Sequence, residues 1–285
     1  MRIGVSSYSF ASAFEQGTMD ILGAIDWVAD SSASHMEISI AGLGSQLIDD
    51  PELVEKIRER AQARGVPLVN YVVAADFRDP DLGAQIDRLK AHLDVAHTLG
   101  IPLFRHDVVA WSWREKNQAE FERTFQAVVP ICREIANYAA TLGITTSVEN
   151  HGMSMNNSER VRRLVETVDL PNFRVTLDIG NFLCVDELPQ SAVPQTLPYA
   201  SVVHLKDFYI RDFSPGEGWL TTVADRSILG AIVGFGDLPM RSLISTIKSS
   251  GFDGPISIEF EGLEDSLIGA GVGLANAQRI WDEVK

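Results

Sequence analysis

Four junctions in this chain share one device. "ARGVPLV", "TLGIPLF", "TLGITTSV" and "SSGFDGPISI" each place a glycine just after a helical pattern and an apolar strand pattern just after the glycine. Glycine at that point accepts the left-handed conformation that ends a helix. Its repetition predicts repeated βα units. Eight short, apolar, β-branched runs carry the strand pattern, at 2–8, 35–40, 67–73, 102–109, 144–150, 173–179, 201–208 and 255–261. Strands buried on both faces of a parallel sheet read in this near-continuous way. Between them, apolar residues recur at helical spacing: Leu53, Ile57 and Ala61; Ile86, Leu89, Leu93 and Ala96; Phe121, Phe125, Val128, Cys132, Ile135 and Ala139; Met240, Leu243, Ile244 and Ile247. Pro130 falls inside the third pattern and predicts a kink or a break.

Eight such units in 285 residues fit an α/β fold of the (β/α)8 barrel type, one domain over residues 1–285. A doubly wound open sheet is the competitor. No glycine-rich phosphate loop follows the first strand, where "SSYSFAS" stands instead, and this disfavours its dinucleotide-binding form. One connection is anomalous. Residues 207–238 run without a clear helix, and their mix of aromatic, charged and glycine residues predicts a lid or wall over a site.

Several classes are disfavoured. No run of about 18 apolar residues predicts a membrane span. The start, "MRIGVSSYSFASAF", lacks the apolar centre of a signal peptide, and the two cysteines, Cys132 and Cys184, read as reduced thiols, so a cytoplasmic protein is expected. The formal net charge of −15, with no basic run longer than "RR" at 162–163, opposes a nucleic-acid partner.

Chemistry should sit where the strands end, on the C-terminal face of the barrel. The late strands deliver Glu149, Asp178, His204 and Glu259, each after β-branched or apolar residues. Singly, each has a plain structural reading: a rim carboxylate paired with a cation, a helix cap, a satisfied core histidine. Together, three unpaired carboxylates would repel and be costly to bury. A divalent cation resolves both problems. The oxygen-rich set suits Mn²⁺, Mg²⁺ or Co²⁺, with catalytic Zn²⁺ as an alternative.

The four segments "SVENHG", "VTLDIGN", "VVHLKD" and "SIEFEG", in this order, resemble the sugar phosphate isomerase/epimerase superfamily, the xylose isomerase-like TIM barrel group, as does "GFGDLP" at 234–239. The resemblance covers essentially the whole chain. It implies that Glu149, Asp178, His204 and Glu259 bind one metal ion, Mn²⁺ first. It implies that Glu149 and Glu259 also handle protons: one takes a proton from the carbon beside a carbonyl and the other returns it, through a cis-enediolate. The expected activity is isomerisation or epimerisation of a small keto sugar or polyol-derived ketone. A lyase or dehydratase of the same fold, of the inosose dehydratase or keto-glycoside-eliminating kind, is the alternative. An AP endonuclease-type nuclease is disfavoured. That branch carries a histidine where Asn181 stands, and a histidine after Asp225 and Arg226 where Ser227 stands. A non-catalytic sugar-binding protein is not demanded by any residue. The family commonly forms oligomers, so a homo-oligomer stays open.

Substrate-binding candidates are His151, two residues after Glu149; Asn181, an amide suited to a sugar hydroxyl or to holding Asp178; and Lys206, which shares the parity of His204. His106 and Asp107 end the fourth strand and could line the pocket, Trp113 follows them beside Trp111, and Arg226 lies in the long loop. Their plain readings are a ligand-orienting or solvent-facing His151, a strand-end salt bridge for Lys206, a subunit contact for the tryptophans and a solvated Arg226. Glu259 and Glu261 alternate, so one should face the barrel and the other the helices. His35, His92 and His97 read as structural or exposed. With no glycine-rich cradle or arginine cluster in view, an unphosphorylated substrate is expected.

Overall fold

The computed structural model describes residues 3–285, so Arg2, the first residue of the expected opening strand, lies outside them. Eight parallel strands close into a barrel. They are β1 (Ile3–Ser6), β2 (Met36–Ser39), β3 (Leu68–Val73), β4 (Leu103–His106), β5 (Thr145–Glu149), β6 (Phe173–Asp178), β7 (Ala200–Leu205) and β11 (Ile256–Ile258). β1 pairs with β2 on one side and β11 on the other, which closes the ring. Each predicted strand is present, trimmed by a residue or more at most ends.

The connection at 207–238 contains no helix. It folds into a small antiparallel sheet of β8 (Asp207–Arg211), β9 (Leu220–Thr221) and β10 (Ser227–Ala231), with β10 in the middle. Its root is clasped by one carboxylate. Asp207 accepts N–H bonds from Gly234, Gly236 and Leu238 at 2.9–3.3 Å. A Cβ on Gly236 would lie 2.2 Å from Asp207 Oδ1, so that close approach needs glycine. The far end is held by Asp186, which accepts from Thr222 Oγ1 at 2.9 Å and the Ala224 N–H at 2.7 Å.

Pro130 does not break its helix, which runs from Gln118 to Thr141. Pro130 is exposed, so its ring and the carbonyl it leaves unpaired face water, where the loss is tolerated. Among the described residues no helix is long and apolar enough to cross a membrane.

Strand parity sorts the side chains. Those facing the helices are apolar and almost fully buried, such as Ile38, Tyr71, Phe104, Val148, Val175 and Leu205. Inside the barrel a polar layer replaces the usual aliphatic one: Glu37, Asn70, Ser147, Thr176, His204 and Ser257 are all fully buried. Buried polar groups of this kind persist only where they bond to one another or to a ligand.

Candidate metal centre and its surrounding pocket

Glu149 and Asp178 are the last residues of β5 and β6, and Glu259 follows β11 directly. His204 pairs in register with Asp178 across β6 and β7 and with Ser257 across β7 and β11. The four side chains are buried and each offers a ligand atom within 4.8 Å of the others. His204 Nδ1 stands 3.5 Å from Glu259 Oε1 and 3.8 Å from Glu149 Oε1.

Asp178 has both of the functions its position suggests, one on each oxygen. Oδ1 accepts the Gly180 and Asn181 N–H groups at 2.7 and 2.9 Å, fixing the turn after the strand. Oδ2 is buried and has no hydrogen-bond partner among the described residues, and the same holds for His204 Nδ1. Asp178 Oδ2, with only the Lys206 charge 3.3 Å away, and His204 Nδ1, facing two carboxylates, are atoms of ligand type that a divalent cation would satisfy, so the residues fit such an ion. Asn150 fastens the neighbouring strand end: its side chain accepts from the Asp178 N–H at 2.9 Å and donates to the Asp178 carbonyl at 2.8 Å.

Two buried cations balance part of the negative charge. Lys206 Nζ lies 2.9 Å from Glu259, 3.2 Å from Glu261 and 3.3 Å from Asp178. Arg105 Nε lies 2.5 Å from Glu149 Oε2, and its Nη2 lies 3.0 Å from Asp107. Burial pushes the Glu149 carboxyl up, but Arg105 pulls it further down, to about 2. Burial raises Asp178, against the pull of Lys206, to about 6. The acids in this site keep different proton affinities because their nearest cations differ.

Asn181 bridges the two halves. Its Nδ2 donates to Glu149 Oε1 at 2.9 Å and its Oδ1 accepts from Lys206 at 3.2 Å. Its backbone, not its side chain, holds Asp178. His151 Nδ1 sits 3.0 Å from Asp107 Oδ1, which, after burial opposes it, raises the ring's proton affinity. The other ring nitrogen of His151 is left for the cleft.

That cleft has two chambers. The inner one, about 280 Å³, is lined by Tyr8, Arg105, Glu149, His151, Lys206 and Glu259 among others. The outer one, about 510 Å³, lies under the small sheet and is lined by Trp111, His151, Asn181, Gly218, Leu220 and Glu261 among others. The expected wall over the site is thus built by residues 218–230. A larger groove of about 850 Å³ lies elsewhere, beside the C-terminal helix. Its charged residues, Arg241, Arg279 and Glu283, are exposed and pair with one another.

Glu149, Asp178, His204, Glu259, His151, Asn181 and Lys206 are therefore brought together. Three candidates are not. His106 is fully buried on the outer side of β4 against Phe77, Phe104 and Phe173, and burial lowers its ring to about 4. Alternation on β4 turns Arg105 inward instead. Trp113 packs on the core under the Arg78 guanidinium, 4.2 Å from its ring centre, while Trp111 takes the cleft position. Arg226 is exposed on the small sheet, 3.7 Å from Asp212. Glu261 corrects the alternation argument. Residues two apart share one face of an extended chain, so Glu259 and Glu261 do not point opposite ways, and both reach Lys206.

Sequence reasoning missed Arg105 and Glu37, while Asp107, read with His106 as a pocket-lining candidate, does line the inner chamber. Glu37 stands in the middle of "HMEISI" and is fully buried, 3.0 Å from His204 Nε2. A charge in the middle of an apolar strand was the available signal.

A family model described as the xylose isomerase-like TIM barrel matches residues 25–280. A 3-oxo-isoapionate decarboxylase from Pectobacterium atrosepticum is 25% identical over 254 residues, covering 87% of this chain and 81% of that protein. Among solved structures, the probable 3-DHS dehydratase AsbF involved in petrobactin synthesis from Bacillus anthracis superposes with a TM-score of 0.75 at 15% identity, over 97% of this chain and 99% of its own. A D-allulose 3-epimerase from Methylomonas sp. gives 0.73 at 18% identity, over 98% of each chain. Enzymes of at least three reaction types thus share this scaffold. From the barrel order, the buried strand-end group of Glu149, Asp178, His204 and Glu259 and the span of the match, this chain belongs to the xylose isomerase-like TIM barrel family.

Proposed function

We propose that this protein is a divalent-metal-dependent enzyme that enolises a small keto sugar or polyol-derived ketone, acting as an isomerase or epimerase. The carrying observation is the buried group of Glu149, Asp178, His204 and Glu259, with orphaned ligand atoms on Asp178 and His204. These four residues would hold the ion, with Mn²⁺ the first choice for an oxygen-rich set and Mg²⁺, Co²⁺ and Zn²⁺ as alternatives. When bound, such an ion supplies electrophilic polarisation of a carbonyl oxygen.

The chain's residues supply the rest. Glu259 and Glu149 end different strands and serve as the proton-handling pair on a ketone held between them. Lys206 neutralises Glu259 and is placed to donate to a substrate oxygen. His151, oriented by Asp107, offers its second nitrogen to a hydroxyl, and Trp111 presents an apolar face to the carbon skeleton in the outer chamber. The small sheet excludes water from the outer side of the cleft.

Cleavage of the same enolate precursor is the second reading, as in a lyase, dehydratase or decarboxylase. One observation favours it: Glu149 is engaged by Arg105 on one oxygen and Asn181 on the other, and Glu259 by Lys206, so the site offers no unencumbered pair of bases. A decarboxylation needs one proton donor and no second base. The similarity to a 3-oxo acid decarboxylase points the same way.

One experiment separates these readings. The Mn²⁺-loaded protein is incubated in D₂O with a panel of ketoses and 3-oxo sugar acids. Deuterium entering the α-carbon with conserved substrate mass supports isomerisation or epimerisation. Release of CO₂ or water from the same panel supports cleavage. If wild type and Glu259→Gln give identical, background turnover on every compound, the enzymatic proposal is wrong.

A further inference from the structure

A column of buried polar side chains runs through the barrel beneath the metal ligands. Ser34 Oγ lies 3.0 Å from His35 Nδ1, and His35 Nε2 lies 3.0 Å from Ser257 Oγ. Ser257 adjoins Glu37, and Glu37 Oε2 lies 3.0 Å from His204 Nε2. Asn70 Nδ2 donates to the same Glu37 oxygen at 2.7 Å. Glu37, Asn70, His204 and Ser257 are all fully buried, and Gly4 makes room for the His35 ring, since a Cβ there would lie 2.3 Å from it.

We propose that Glu37 is a positioning residue for the metal centre. It fixes the tautomer and the ring plane of His204. A carboxylate at Nε2 draws the ring proton to that nitrogen and leaves the lone pair on Nδ1. Nδ1 is the His204 atom that has no partner and that faces Glu149 and Glu259. The opposite tautomer would put a proton where the ion must bind. Asn70 holds Glu37 in turn, so the ligand's geometry is set from β2 and β3, two strands that contribute no ligand atom of their own.

The column also explains a cost the fold carries. A buried carboxylate with no ionic partner would be expelled or protonated. Glu37 keeps its place because a histidine and an amide donate to it. An aliphatic residue at position 37 would suit the barrel interior better if no ligand had to be aimed.

This inference rests on the metal reading above, and its test is arranged so that the two fail separately. Mn²⁺ affinity is measured by calorimetry on wild type, Glu37→Gln, Glu37→Leu and Ser257→Ala, with thermal unfolding of each metal-free protein alongside. Glu37→Gln keeps an acceptor but not the charge, and Glu37→Leu removes both. Affinity is expected to fall about 10-fold in the Gln variant and about 100-fold in the Leu variant, with a smaller loss for Ser257→Ala. A purely structural role would move the unfolding temperature and leave the affinity of the folded Gln variant at the wild-type value, and that outcome sinks the proposal. Wild type that takes up no Mn²⁺ overturns the metal reading and this inference with it. Wild-type binding with unchanged affinity in every folded variant overturns this inference alone.

Discussion

Arg105 Nε and Glu149 Oε2 are 2.5 Å apart, and both side chains are buried. Removing the cation leaves the carboxylate in a dry site with Glu259 as its neighbour. In Arg105→Met the Glu149 carboxyl should rise from about 2, because burial and Glu259 push it up with His204 left to oppose them. A raised value means that Glu149 takes its proton sooner as pH falls. The acid limb of kcat/KM should therefore move to higher pH by about 1–3 units, and Mn²⁺ affinity at mildly acidic pH should fall with it. A pH–rate profile unchanged from wild type would remove Arg105 from the site's electrostatics.

Lys206 stands among three carboxylates. Without a metal ion it is their principal counter-charge, so Lys206→Met should destabilise the metal-free protein by about 3–5 kcal/mol. A divalent cation then has more to compensate in the variant than in wild type. Thermal unfolding with and without Mn²⁺ checks this: the metal-induced rise in Tm should be larger for Lys206→Met. An equal rise in both proteins would show that lysine and metal do not share the same carboxylates.

Asp207 tests the clasp at the root of the small sheet. Asp207→Ala strands the N–H groups of Gly234, Gly236 and Leu238, at a cost of about 3 kcal/mol. Amide hydrogen exchange should accelerate over residues 208–238 while the barrel strands stay protected. Gly236→Ala should give a similar pattern, since its Cβ would enter the Asp207 carboxylate.

His92 supplies a pH signature distant from the site. It is buried 3.0 Å from the Tyr71 hydroxyl, and burial lowers its ring from 6.5 to about 4. Above pH 6.5 the ring is neutral folded or unfolded and contributes no slope. Between 6.5 and about 4 the unfolded chain binds the proton and the folded chain does not, so stability falls as pH falls through that window. In His92→Gln this part of the slope should vanish from denaturant-unfolding data collected between pH 4 and 7.

The four ligands and the barrel were legible because each obeys a rule that acts along the chain. A glycine closes each helix, an apolar run makes each strand, and a carboxylate or imidazole ends it. Asp178 could be read from "RVTLDIGN" alone. Arg105 and Glu37 could not, because their partners are distant in sequence and meet them only across the closed barrel: Glu149 for Arg105, His204 for Glu37. Alternation chose correctly for Lys206 and would have chosen Arg105 over His106 had it been applied to β4. For Glu261 a period of two gives the same side as Glu259, which is where it lies, beside Lys206, and not the opposite side first expected. The small sheet was missed because its strands are short and antiparallel, and only the length of the connection betrayed them.

The clasp at Asp207 has an evolutionary consequence. The segment that roofs the cleft leaves the barrel at Asp207 and returns to the same carboxylate at Gly234–Leu238, so its two ends are already joined. Lengthening or shortening a loop whose ends are fixed costs little closure entropy, and the cost grows only slowly with length. Residues 212–226 are thus open to replacement as a cassette, while Glu149, Asp178, His204 and Glu259 keep their places on separate strands. A change confined to the roof would reshape the outer chamber, which Gly218, Leu220 and Gly230 line, and leave the Glu149, Asp178, His204 and Glu259 group in place.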